Sequence, residues 1–174
     1  MSTTPGTPHH RPSEPAGNNA YGWKLHPILF LLVVSISLFF AFVVWSTPVM
    51  YSSITEWHES WQRVLMSRVC HQQIDRTFVS GGIPLAVCSR CTGIYTALPL
   101  VLLVFSFFFT VLVRAKRYIV RIFALASLLV ILDGAGNLLH LWQTADLIRL
   151  LTGTLWGMAA GLLLIISVTI PRDS

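Results

Sequence analysis

The 174-residue chain is 54% hydrophobic and only 11% charged, with a mean hydropathy of +0.68. A soluble domain carries roughly a quarter charged residues, so this composition is that of an integral membrane protein. The net charge of +5 is no case for nucleic acid, because most basic residues flank apolar runs, where they orient helices and meet acidic head groups of the lipid bilayer. At roughly 20 residues per span, the length holds one bundle of about four spans and no second domain.

Residues 1–23 are rich in Pro, Gly, Thr and Asn and poor in bulky apolar groups. Such a stretch cannot bury enough surface to offset its chain entropy and reads as a disordered tail ahead of a bundle at 24–174. The first span is predicted at about 27–46. Its apolar core is too long for a signal peptide, and no small-x-small cleavage site follows. Residues 53–69 are amphipathic: Ile54, Trp57, Trp61, Val64, Leu65 and Met66 recur at helical spacing, and Ser53 with Glu56 fits a capping box. The Trp residues predict a helix lying in the head-group layer. A Cys/His loop at 70–91 follows, punctuated by Gly81-Gly82 and Pro84. Further spans are predicted at about 93–113, 118–142 and 147–170. The expected fold class is thus all-α integral membrane, with four transmembrane helices and one amphipathic interfacial helix. An even number of spans puts both termini on one side. The basic turn at 114–117 marks that side as cytoplasmic in a multi-pass cell-membrane protein, with the Cys/His loop outward.

The chemistry centres on that loop. Cys70, Cys88 and Cys91 are the chain's three cysteines, and His71 adjoins the first. Two ligand pairs across such a gap approximate a zinc ribbon, with Cys70-His71 replacing one Cys-x-x-Cys. Adjacent residues on a regular helix point ~100° apart, so Cys70 and His71 share an ion only where the helix ends. If His71 does not reach, Asp133, His140 or a water completes the set. A second reading is thiol-disulfide exchange with a quinone, because a Cys-x-x-Cys at a helix start favours the thiolate and Arg90 adds positive potential. A third is a metal-stapled assembly subunit without catalysis, and the plainest is three inert buried thiols.

Asp133, Asn137 and His140 fall on one helix face, at a depth shared with the cysteines. Ionisable groups in a bilayer usually face the bundle interior and pair. The expected partner of Asp133 is Arg149, and Asp133, His140 and Arg149 are the candidate catalytic groups. Arg76, Arg90 and Asn137 are candidate substrate-binding residues, since guanidinium forks suit the phosphate of an anionic lipid or isoprenoid ligand. Gly153, Gly157 and Gly161 form a small-residue stripe for helix packing, within the chain or in a dimer.

These motifs together, Cys70-His71-Gln72, Arg76-Thr77-Phe78, Cys88-Ser89-Arg90-Cys91-Thr92-Gly93-Ile94-Tyr95, Asp133-Gly134 and the run from Leu147 to Gly153, resemble a family of small bacterial and archaeal membrane proteins catalogued as domain of unknown function 2085. The likeness spans roughly 60–165. It implies a multipass fold and a shared polar site, and it lends no reaction.

Overall fold

The computed structural model describes residues 23–139 and 141–171. The expectations for His140 and for all of the tail at 1–23 but its last residue fall outside the described residues; Trp23 itself begins a short strand. Four helical segments are long and apolar enough to cross a membrane: Pro27–Met50, Ser89–Arg114, Lys116–Leu138 and Asp146–Ser167. The protein is an all-α integral membrane protein. Its many exposed Leu, Ile, Val and Phe side chains lie mostly on these segments, where hydrocarbon is their solvent.

Each span departs from its expected limits for a local reason. Helix α1 (Pro27–Met50) runs four residues past the expected end, through Pro48. Proline cannot bond the carbonyl four residues back, and the Thr47 hydroxyl donates to that Val44 oxygen instead. The amphipathic segment is two short helices, α2 (Ile54–His58) and α3 (Trp61–Met66). Ser53 caps α2 through the Glu56 amide, as expected, while the Glu56 carboxylate returns to the amide of Ser52. Ser60 then starts a second cap that breaks the helix. Of the expected apolar face, Trp57 and Met66 are buried and Trp61 and Val64 are exposed. The polar Gln62 is wholly buried. It accepts from the Tyr51 hydroxyl and donates to Ser46 Oγ, which fastens α3 to the end of α1.

Two short strands, β2 (Val79–Ser80) and β3 (Ile83–Pro84), form a hairpin within the loop. Its turn is Gly81-Gly82, with φ of +61° and +85°, the left-handed pair that a two-residue hairpin requires. Helix α4 (Ser89–Phe105) begins four residues before the expected second span, so Cys88 is its N-cap residue and Cys91 lies in its first turn. A 3-10 turn at Ser106–Phe108 joins it to α5 (Phe109–Arg114). Helix α6 (Lys116–Leu138) stops four residues short of the expected end, because Asn137 turns its side chain on the following segment and Trp142 folds back over Gly136.

Helix α7 (Asp146–Ser167) runs parallel to α4 in their tightest packing. Ideal Cβ atoms on Gly153 and Gly157 would lie 2.0 Å from Arg90 O and 2.8 Å from Ile94 O, and one on Gly93 would lie 2.4 Å from Leu150 O. The small-residue stripe is therefore occupied inside the chain by α4. Of the two expected uses of Gly153, Gly157 and Gly161, this is packing within the chain, with Val101 of α4 facing Gly161. Helix α1 packs on another face of α4, and α6 packs on α7. Strands β1 (Trp23–Leu25) and β4 (Thr169–Pro171) pair antiparallel, tying the first and last spans at the end of the bundle opposite the cysteines.

Candidate metal centre

The three cysteines arrive from two arms. Cys70 follows the end of α3, and Cys88 and Cys91 stand one helical turn apart at the start of α4. Their sulfurs all lie within 4.8 Å of one another, and Cys70 Sγ is 3.5 Å from Cys88 Sγ. Tetrahedral zinc with bonds of ~2.3 Å sets its sulfurs ~3.8 Å apart, so the cluster is close to the span one ion requires. The Cys88 amide donates to Cys70 Sγ at 3.4 Å. Hydrogen bonds from the Cys70 and Cys91 thiols, with the nearby Arg90 charge, hold the Cys88 thiol well below its ordinary range. The bond to Cys88 pushes Cys70 the other way. Beneath the sulfurs lie Val43, Val44, Met66, Ala86 and Val87.

His71 does not join them. It is exposed and stands outside the group of converging ligand atoms. Helix α3 ends at Met66, before Cys70-His71, and a turn over 67–69 follows, so helical geometry does not bring the two neighbouring side chains onto one ion. His71 lines the same cavity as the thiols instead, a space of about 380 Å³.

That cavity joins the cysteines to the charged groups expected at the same depth. Arg76, Arg90 and Arg149 all line it, together with Asn137. The expected Asp133–Arg149 pair is corrected: Asp133 is ion-paired with Arg90, their side chains 13% and 21% exposed. Arg90 sits in the first turn of α4, nearer the carboxylate than Arg149 on α7. Asp133 also accepts from the Thr144 hydroxyl and from Asn137 Nδ2. Arg149, 6% exposed, donates to Asn137 Oδ1 at 2.8 Å and to Asp146 Oδ1 at 3.5 Å. Ser89 donates to the same Asp146 oxygen and to the Arg76 carbonyl. One polar network thus ties α4, α6, α7 and the turn between the last two. Thr144 and Asp146 belong to it without any sequence signal that set them apart, and Ser89 was marked only as part of the Cys88–Cys91 motif.

The sequence pattern of the family described as "Predicted membrane protein (DUF2085)" matches residues 70–163, from the first cysteine into the last turns of α7. The chain belongs to the DUF2085 family. An uncharacterized protein of Methanothermobacter thermautotrophicus is 34% identical over 98 residues, which are 55% of this chain and 83% of that protein. One from Methanocaldococcus jannaschii is 30% identical over 94 residues, 52% of this chain and 58% of its own length. No solved structure matches. The DUF2085 segment holds every residue of the thiol cluster and polar network and omits α1 to α3.

Proposed function

We propose that this DUF2085 protein is a multipass membrane protein in which Cys70, Cys88 and Cys91 bind one zinc ion. Its fourth coordination position opens toward the arginine-lined cavity, which accepts an anionic group carried by a lipid or isoprenoid. The observation that carries this is the convergence of three sulfurs from two separate arms within 4.8 Å. Local helix geometry brings Cys88 and Cys91 together, but only the fold brings Cys70.

The charges support the second part. Zinc with three thiolates carries one net negative charge, and Arg76, Arg90 and Arg149 line the cavity beside it. Among the described residues three guanidiniums line the cavity and no carboxylate does, while Asp133, Asp146 and Asp75 pair with Arg90, Arg149 and Arg76. Bound zinc would supply either a staple between the arms or a Lewis acid for an oxygen at the open position. Arg149, Arg76 and Asn137 would orient that anionic group, with Asp133 holding Arg90 in place. Facing outward, the cysteine end stands opposite the basic turn of Arg114, Lys116 and Arg117.

A dithiol oxidoreductase is the second reading, favoured by the 3.5 Å Cys70–Cys88 contact and the depressed Cys88 thiol. Joining two thiols as a disulfide would pass two electrons and two protons to a quinone, giving the quinol.

Elemental analysis of protein purified under reducing conditions, with a free-thiol count, separates the readings. The first expects about one zinc per chain, lost in Cys88→Ser and kept in His71→Ala. A metal-free protein with a disulfide supports the second. Zinc retained in an Arg76→Ala/Arg149→Ala protein that also binds anionic lipid like the parent reduces the site to a non-catalytic staple.

A further inference from the structure

We infer that Gln72 is the positioning residue that sets Cys70 against Cys88; the inference deepens the metal reading but is tested separately from it. Among the described residues, Gln72 is the non-glycine residue with positive φ, at +50°. Unbranched side chains other than Asn and Asp seldom adopt that conformation, and it persists where surrounding contacts over-determine it.

Two hydrogen bonds of its side chain do so. Gln72 Nε2 donates to Arg63 O at 2.7 Å and to Ala86 O at 2.9 Å. Arg63 belongs to α3, and Ala86 stands two residues before Cys88. Both hydrogens of one amide therefore bridge the helix that leads to Cys70 and the arm that leads to Cys88. Cys70 itself lies two residues before Gln72. The left-handed turn at Gln72 reverses the chain so that its side chain points back between the arms.

The chemistry requires that amide. A carboxylate of the same shape has no hydrogen to give either carbonyl. Glycine relieves the backbone and removes the bridge. Asparagine tolerates the backbone, but it is one methylene too short to span both oxygens. Each substitution removes the clasp by a different route, and only the loss of the clasp is common to all three.

The test uses the full-length protein in detergent and two sulfur pairs. In a Cys91→Ser background, diamide oxidises the Cys70 and Cys88 thiols to a disulfide and takes up their two electrons and two protons. In a Cys70→Ser background, the same reagent joins Cys88 and Cys91, which share one helix turn. Gln72→Glu, Gln72→Gly and Gln72→Asn are each expected to slow Cys70–Cys88 closure at least tenfold and leave Cys88–Cys91 closure unchanged. In the three-cysteine protein they are expected to weaken zinc binding by about 10–100-fold and to reduce the thiolate-to-metal absorption of the cobalt-substituted form. If both disulfides form at parental rates in all three variants, the inference is overturned. Equal slowing of both also overturns it, because that reports general loosening. If the parent binds no zinc yet the selective slowing holds, Gln72 stands as the clasp and the metal reading falls.

Discussion

Replacing Gly153 with alanine would put a methyl carbon 2.0 Å from the carbonyl oxygen of Arg90 and 2.9 Å from its carbonyl carbon. Close carbon–oxygen approaches between helices stop near about 3.3 Å, so the two helices must part by more than about 1 Å at that level. The atoms met are α4 backbone, which cannot rotate away. A gap of 0.5–1 Å already forfeits about a quarter to a half of each dispersion contact beside it, and in a bilayer such packing is the main force holding helices together. The expected loss is at the upper end of overpacking costs, about 3 kcal/mol. Gly134→Ala is the control. Its methyl would meet only Arg90 Nη1, at 3.8 Å, and alanine favours a helix by about 1 kcal/mol over glycine. Reversible unfolding in mixed detergent micelles should show the first variant markedly weaker and the second equal to or firmer than the parent. Equal stability of Gly153→Ala and parent would refute this account of the α4–α7 interface.

Three further outcomes are expected. Arg90→Ala and Asp133→Ala should each destabilise by about 1–3 kcal/mol, the cost of leaving a part-buried charge without its partner, and the double variant should fall short of their sum by about 1 kcal/mol or more; a cycle that closes additively would deny the pairing. Excess zinc at 1,000 times its dissociation constant should add about 4 kcal/mol of stability, removable by chelator and absent in Cys88→Ser; a melting temperature indifferent to chelator would count against a bound metal. Green fluorescent protein fused after Ser174 should fluoresce in cells while a phosphatase fused there stays inactive, and the reverse pattern would put the cysteines on the inner face.

Spans were legible because their signal is summed over some twenty residues, and no single side chain can cancel it. Their ends were not, since they were decided by single side chains: Thr47 carrying α1 past Pro48, Asn137 and Trp142 ending α6 early. The meeting of cysteines and buried charges in one cavity followed from counting depth along helices, which is insensitive to how they rotate. The choice between Arg90 and Arg149 for Asp133 depended on that rotation and on the early start of α4, and depth alone favoured neither. His71 illustrates a related limit. Adjacency to Cys70 made it a natural ligand, yet side-chain direction is set by where α3 stops. Gln72 carried no signal of its own type, because a left-handed glutamine is specified by the two carbonyls it bridges.

The Arg90–Asp133 bridge also bears on how the chain is made. A segment with a carboxylate five residues from its end enters hydrocarbon against a penalty that falls from about 3 kcal/mol at the bilayer centre. α4 is synthesised first and presents its guanidinium where that carboxylate arrives, so the Asp133 charge is met by Arg90 rather than by lipid. The emerging polypeptide thus brings its own counter-charge to the translocon, and α7 comes last to seat Arg149 on Asn137.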